Sequence, residues 1–259
     1  MGVRVIKKRV RRALSRSNLP GVEFTINPYT GCMHGCIYCY TRDYCQKEVG
    51  ESWGSVVIVK ENILEILGKE LRKRPSGRVV LSTMSDPYQP LEKVEELTRR
   101  ILEILLINNC KVGIQTKSDL VLRDLDLLVQ NLNLVDVGFT ITTLNKDLAR
   151  KIEPHAPSPK RRVRALEKLS GEGVRTWIFM GPIIPGIDPR EIEEIVEVAD
   201  KTNSLLYYDK FRIKGFMRDG LAGQMAEMAA KTDWKDLSQK INKICKKYGV
   251  KAIPAFGGT

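Results

Sequence analysis

Along the chain, short apolar runs rich in Val, Ile, Phe and Thr alternate with longer stretches in which apolar residues recur every three or four positions. The short runs predict strands over 22–27, 78–83, 111–116, 135–142, 174–180 and 205–213. The longer stretches predict amphipathic helices over 62–74, 91–107, 121–130, 159–169 and 191–201. Pro75-Ser76-Gly77 closes the first of these, and Gly171 with Gly173 the fourth. Repeated strand-then-helix units demand a parallel sheet with right-handed crossovers. Six units are too few for an eight-fold closed barrel, so the expected fold is α/β, a six-stranded parallel partial (β/α)6 barrel. After Gly215 the pattern changes to a Met- and Ala-rich segment, a helix over 234–247 and the short apolar run 252–254, read as a C-terminal helical extension that acts as a lid or packing layer. The expected organisation is a basic N-terminal arm, 1–16, then a single domain, 17–259, with its core at 22–215 and its extension at 216–259.

Composition fits one soluble catalytic domain. The chain of 259 residues is 42% hydrophobic and 29% charged, ordinary for a globule with a full core. No apolar stretch approaches the ~20 residues of a membrane span; the longest, 101–107, belongs to an amphipathic helix. Forty-three Lys and Arg against 31 Asp and Glu leave a formal charge of +12, which favours an anionic partner. The excess is concentrated in Arg4, Lys7, Lys8, Arg9, Arg11, Arg12 and Arg16, all before the first acidic residue, Glu23, and again in Lys160, Arg161, Arg162 and Arg164. Such runs are solvated faces or phosphate-binding patches, so a nucleic-acid partner is one expectation they raise.

The chemistry sits in Asn27-Pro-Tyr-Thr-Gly-Cys-Met-His-Gly-Cys-Ile-Tyr-Cys-Tyr40. Cys32, Cys36 and Cys39 make C-x-x-x-C-x-x-C, three thiolates without a fourth at matching distance. Structural zinc and electron-transfer four-iron clusters take four protein ligands, so three suit a metal centre with one position open for chemistry. One such loop can wrap three corners of an iron-sulfur cube, with Gly31 and Gly35 allowing a tight backbone and Tyr29, Tyr38 and Tyr40 shielding it from water. A buried helical stripe at 32, 36 and 39 is disfavoured by Pro28 and the two glycines. A zinc site with His34 as fourth ligand is disfavoured because His34 lies between the first two cysteines. Cys45, Cys110 and Cys245 are scattered without a disulfide pattern, which points to a reducing cytoplasm. In parallel sheets the reactive groups collect at the carboxyl ends of strands. Those ends carry Ser82, Thr83, Ser85 and Asp86; Gln115, Thr116, Lys117 and Ser118; Thr140, Thr142 and Thr143; Lys210 and Arg212. Lys117 is the best-placed cation to pair with a ligand carboxylate.

With Tyr38 at the aromatic place of C-x-x-x-C-x-aromatic-C, the chain resembles the radical S-adenosylmethionine superfamily. Asn27-Pro28-Tyr29, Gly31-Cys32, Gly35-Cys36-Ile37-Tyr38-Cys39-Tyr40, Ser85-Asp86-Pro87-Tyr88-Gln89-Pro90 and Thr116-Lys117-Ser118 are similar to its spore photoproduct lyase-like branch, over most of residues 17–190. The resemblance implies a partial barrel and a 4Fe-4S cluster on Cys32, Cys36 and Cys39 whose open iron chelates S-adenosylmethionine. One electron from a low-potential donor of ferredoxin or flavodoxin type then yields a 5′-deoxyadenosyl radical. It further implies cofactor contacts from Tyr38, from Lys117 to the methionine carboxylate, from Ser85 or Asp86 near its amino end, and from Thr140 and Thr142 on the fourth strand. Gly181 and Ile183 would pack beside adenine, although Gly181-Pro-Ile183-Ile-Pro-Gly186 has one residue more than the family's G-x-I-x-G stretch.

In the lyase a cysteine on the strand after the cluster loop returns a hydrogen atom to the repaired thymine, assisted by tyrosines. Here Tyr38 and Tyr40 are present, but Val80-Leu81-Ser82-Thr83-Met84-Ser85 holds no cysteine, so photoproduct repair by that route is not expected. Cys45 is the remaining candidate hydrogen-atom donor, against its reading as an inert thiol. The expected protein is therefore a cytoplasmic, monomeric radical enzyme with nucleic acid as the favoured substrate. Two alternatives stand: the same chemistry on a protein or peptide, and a non-catalytic zinc protein that binds nucleic acid through its basic arm.

Overall fold

The computed structural model describes residues 2–72 and 77–255. In chain order its elements are β1 (Arg4–Lys8), β2 (Leu14–Arg16), β3 (Phe24–Ile26), β4 (Tyr29–Thr30), α1 (Lys47–Glu51), β5 (Val56–Lys60), α2 (Ile63–Leu71) and β6 (Arg78–Leu81). There follow α3 (Glu92–Glu95), α4 (Leu97–Ile107), β7 (Lys111–Thr116), α5 (Leu125–Gln130), β8 (Val135–Thr140), α6 (Lys146–Ile152), α7 (Pro159–Gly171) and β9 (Arg175–Met180). The chain ends with α8 (Pro189–Lys201), β10 (Leu205–Tyr208), α9 (Gly220–Lys231), α10 (Trp234–Lys247) and β11 (Ala252–Pro254).

The six expected strands are β3, β6, β7, β8, β9 and β10, and they lie side by side in that order. The sheet is larger than expected: eight strands in the order β11-β10-β9-β8-β7-β6-β3-β2, every neighbouring pair parallel except β2 with β3. The segment expected to pack beyond the core thus supplies an edge strand, β11. No pairing joins the two edges, so the sheet stays open among the described residues. Each parallel step from β6 onward crosses through a helix, as that connection requires. Every residue of β8 is buried, which is what a central strand covered on both faces looks like. The helices seal the outer face by apolar stripes: Ile63, Leu67 and Leu71 on α2; Ile101, Leu102, Leu105 and Leu106 on α4; Ile192, Ile195, Val196 and Ala199 on α8.

Several boundaries move for identifiable reasons. The helix expected over 91–107 breaks at Glu96, whose φ of +49° is left-handed. The buried Glu92 carboxylate accepts the Thr98 N–H at 3.0 Å and the Tyr29 hydroxyl, so it caps α4 instead of continuing into it. Expected helix 121–130 begins as a 3-10 turn, Asp119–Asp124, capped by Ser118. The closing Pro75-Ser76 lies outside the described residues. Strand 205–213 stops at Tyr208, beyond which the chain runs on as a loop.

The basic stretch expected as an arm is built into the structure. Arg4–Lys8 pairs in parallel with β5, which also pairs with β4 in a separate three-stranded sheet. Leu14–Arg16 forms the antiparallel edge of the main sheet. Three of the stretch's seven cations are ion-paired: Arg4 with Glu48, Lys7 with Glu95 at 3.9 Å and Arg9 with Glu65 at 3.8 Å.

Candidate active site

A cavity of about 600 Å³ opens at the carboxyl ends of the parallel strands. Its wall includes Cys32, Cys36 and Cys39 from the loop after β4; Ser82, Ser85 and Asp86 after β6; Gln115, Thr116 and Lys117 on and after β7; Thr140 on β8; and Gly181 after β9. Of the site residues expected from sequence, Tyr38 and Tyr40 also line it. Thr142, Ile183 and Cys45 do not: Thr142 and Ile183 are buried behind the wall, and Cys45 packs with Val49, Val56 and Ile58 beneath β5.

The loop holding the three cysteines is fixed from outside. Gly31 has φ +89°, and a Cβ there would come 2.5 Å from the Val56 carbonyl oxygen, so only glycine fits. The Gln89 amide clamps the loop at two points, donating to the Gly31 carbonyl at 3.2 Å and accepting the Met33 N–H at 2.9 Å. Asn27 Oδ1 accepts N–H groups from both Thr83 and Met84 at 2.8 Å, tying the loop's entry to the next strand end. The run 85–90 noted in the sequence is thus a brace for the cysteines.

All three thiols are pushed up by burial, Cys36 to about 12. Buried thiolates need a compensating cation, which a metal centre provides. Cys32 receives N–H groups from His34 and Asp86, and Cys39 receives the Thr41 hydroxyl and N–H, outer contacts that suit thiolate ligands. His34 is buried, its Nδ1 3.4 Å from Asp86 Oδ2, and Nε2 has no hydrogen-bond partner among the described residues. An orphaned buried nitrogen on the same wall as the three thiols fits a site that holds a further group. Among the described residues no three Cys, His, Asp or Glu side chains are grouped as a single metal ion would need.

Behind the thiols lies a polar network. Asp86 Oδ1 accepts the Thr116 hydroxyl at 2.6 Å and the Tyr88 N–H at 2.9 Å, while Oδ2 accepts the Lys117 N–H at 2.7 Å. Burial opposes its ionisation, but His34 and these donors hold its carboxyl down to about 2. Asp86 therefore faces its own strand ends more than the cavity. The Lys117 ammonium is 3.9 Å from Glu153 Oε1 and 5.7 Å from the Tyr38 ring centre. Burial would depress it, yet Cys36 and Glu153 keep its pKa above the ordinary value. Glu153 also accepts the Tyr38 hydroxyl and the Thr142 hydroxyl, the latter at 3.2 Å, and pairs with the buried Arg162. Thr140 accepts the Gln115 amide at 3.1 Å, and Gly181 must lack a side chain because the Phe179 ring occupies that space, 2.2 Å from a Cβ position.

Glu153 and Arg162 are neighbours of the site that the sequence reading does not place there. Arg162 carried a signal: it falls in phase with Ala165, Leu166 and Leu169 on the buried stripe of α7. Ser82 is singled out too by φ +61° and by a buried hydroxyl with no partner among the described residues, a strained group on the cavity wall.

Comparison with known proteins places this geometry. The family model of the radical SAM superfamily matches residues 26–199. An uncharacterized protein of Methanocaldococcus jannaschii is 35% identical over 212 residues, 82% of this chain and 79% of that one. An uncharacterized protein of Mycobacterium tuberculosis is 32% identical over 63% of this chain, which spans half of that relative. Pseudomonas phage M6 encodes a "Radical SAM Nalpha-GlyT isomerase" that is 26% identical over 62% of this chain and 33% of its own length. Among solved structures, a spore photoproduct lyase variant with bound AdoMet and dinucleoside spore photoproduct superposes with TM-score 0.68 at 18% identity, covering 98% of this chain and 82% of that one. Streptococcus suis SuiB bound to S-adenosylmethionine gives TM-score 0.60 at 13% identity, over 89% and 49%. At such identities the likeness is one of fold.

The chain belongs to the radical S-adenosylmethionine superfamily. It is a radical enzyme whose cofactors are a four-iron, four-sulfur cluster and S-adenosylmethionine, and it needs an electron donor to start its chemistry. No described helix is long and apolar enough to cross a membrane.

Proposed function

We propose that this enzyme modifies or repairs a nucleic acid inside the cavity at the carboxyl ends of its strands, in the reducing cytoplasm and as a monomer, within a six-unit partial barrel. The single observation behind the substrate class is the cationic wall: Lys210, Arg212 and Lys214, from the loop after β10, line the cavity, with Asp209 offsetting only Arg212 among the described residues, at 3.1 Å. A cationic wall draws an anionic chain toward the radical site. Spore photoproduct lyase, whose fold this chain shares, has a dinucleoside bound in its solved structure, which supports the same class here.

In this reading Cys32, Cys36 and Cys39 hold the cluster, which with S-adenosylmethionine supplies a 5′-deoxyadenosyl radical when an electron arrives from a ferredoxin or flavodoxin type of donor. Lys117 pairs with the methionine carboxylate, having an ammonium on the wall whose charge Glu153 only partly matches at 3.9 Å. Ser85 and Thr140 offer hydroxyls to the cofactor, and Asp86 positions Thr116 and Lys117 beside it. The Phe179 ring packed over Gly181 is the wall offered to adenine, with Ile183 behind it. Tyr38 and Tyr40 flank Cys39 and face the substrate space. Cys45 packs with Val49, Val56 and Ile58 outside the cavity wall, and β6 with its following loop carries no cysteine, which supports a reaction other than cysteine-donor photoproduct repair.

The test is anaerobic reconstitution followed by reduction, with 5′-deoxyadenosine and methionine as the expected products, then mass spectrometry of nucleosides and proteins from a deletion strain. A nucleoside missing from the deletion strain is the expected result; a missing protein modification would overturn the substrate class.

A further inference from the structure

The solvent side of the cavity carries an aromatic feature that cofactor binding does not call for. After Cys39 the chain makes a short 3-10 turn, Tyr40–Asp43, which sets the Tyr40 and Tyr44 rings 6.0 Å apart and edge to face at 72°. The Tyr40 hydroxyl is tied to the Thr83 carbonyl at 2.6 Å, so its ring is fixed on the cavity wall. Tyr44 lines the same cavity yet is 64% exposed, and its hydroxyl makes no hydrogen bond among the described residues. The Lys214 ammonium stands 5.5 Å from the Tyr44 ring centre.

The charges point the same way by contrast. Five of the eleven cations of the two basic runs are committed to carboxylates: Arg4, Lys7 and Arg9 to glutamates, Arg161 to Asp119, Arg162 to Glu153. Lys210 and Lys214, on the cavity wall, form no ion pair with a carboxylate among the described residues. An exposed ring held by a second ring, with an ammonium on one face that no described carboxylate neutralises and the other face left for a base, is the combination that binds a nucleotide by its base face and its phosphate.

We propose that Tyr44 and Lys214 form a subsite for one nucleotide of a single-stranded nucleic acid, next to the nucleotide that enters the cavity. This rests on the nucleic-acid reading given above and narrows it. Single-strandedness follows from the stacking: in a duplex both faces of a base are covered by its neighbours, whereas a splayed base can lie on the Tyr44 ring. Stacking is tolerant of base identity because every base has a π-face, so the subsite anchors the strand without reading its sequence. Lys214 neutralises the adjoining phosphate, with Lys210 of the same loop for the next.

The experiment is anaerobic fluorescence anisotropy on the reconstituted enzyme, using labelled oligothymidylate, oligouridylate, a mixed-sequence duplex and poly-glutamate. The enzyme should bind both single strands more tightly than the duplex. Tyr44→Ala should weaken single-strand binding about tenfold on either sequence, and Tyr44→Trp should restore it. Lys214→Ala should make the slope of log affinity on log salt shallower by about 0.7. Both residues are exposed or half-buried, so an unchanged melting temperature accompanies each substitution. Unaltered affinity in Tyr44→Ala, with the wild type binding single strands, would overturn the subsite alone. Wild-type affinity only for poly-glutamate, or for none of the probes, would remove the nucleic-acid reading itself.

Discussion

Glu153 and Arg162 form an ion pair sealed from solvent directly behind the radical cavity. Burial should neutralise a carboxyl, yet Arg162 and Lys117 hold Glu153 below its usual range. Arg162 also donates to the Thr140 carbonyl at 3.1 Å and the Pro157 carbonyl at 2.8 Å, so the pair joins β8, α6 and α7 to the cysteine loop through Tyr38. Breaking such a pair from one side leaves an unmatched buried charge. Glu153→Ala is expected to cost about 3–5 kcal/mol of folding stability. Denaturant unfolding checks it, and a loss under about 1 kcal/mol would mean the pair is solvated.

The three cysteines of the loop should behave differently from the other three. Replacing Cys32, Cys36 or Cys39 by Ala should abolish the cluster, seen as loss of bound iron, sulfide and visible absorbance. Replacing Cys45, Cys110 or Cys245 should leave iron content unchanged, since these thiols lie outside the cavity wall. Iron retained in a variant lacking all three loop cysteines would defeat the ligand assignment.

Lys117→Ala should weaken S-adenosylmethionine binding by roughly tenfold to a hundredfold, the value of a lost charge-assisted contact of about 1.5–3 kcal/mol. Equilibrium dialysis on the loaded, unreduced enzyme separates this from turnover. Glu153 keeps its Arg162 partner in that variant, so the cluster should remain intact.

The six central strands could be read from the chain because each carries its own local pattern, Val135–Thr140 most plainly. The cysteine spacing likewise announced the metal centre. The features that escaped depend on long-range partners. Arg4–Lys8 looks like a solvated arm until its five-residue register with Val56–Lys60 is known, because strand pairing leaves no mark on a charged sequence. The same holds for Glu153, whose meaning comes from Tyr38, 115 residues earlier. Charge was legible as a total but misleading as a map: five cations of the basic runs are spent in ion pairs, while Lys210 and Lys214 of the cavity wall sit in a segment that read as strand or its immediate end.

Asp86 gives the fold a specific acid sensitivity. Its folded pKa, about 2, lies below the unfolded value of about 3.9. A depressed carboxyl contributes stability above the unfolded pKa and loses it as pH falls through the folded one, so its share, about 2–3 kcal/mol, should fade between pH 4 and pH 2. Asp86→Asn should therefore be less stable than wild type at pH 6 and converge with it toward pH 2, when both are unfolded by denaturant in matched preparations. A gap that stays constant over that range would show that the carboxylate charge is not what matters.

The amino-terminal stretch offers the sharpest separation of structure from binding. Deleting residues 2–16 removes β1 and β2 and uncovers the pairing edges of β5 and β3. It also strips Glu70 of the Ala13 and Leu14 N–H groups, and Asn62 of its two bonds to the Val10 backbone. Leu14 alone is buried enough to contribute about 1.5–3 kcal/mol. The truncated protein should therefore unfold at markedly lower temperature or aggregate through its open edges. Arg11 and Arg12 are exposed and form no ion pair among the described residues, so Arg11→Glu with Arg12→Glu should leave stability within about 0.5 kcal/mol of wild type. Comparing melting curves of the deletion and the double variant decides the matter. If the deletion melted like wild type, the stretch would be the detachable arm its charge pattern suggests, and the strand pairing of Arg4–Lys8 would carry no stability.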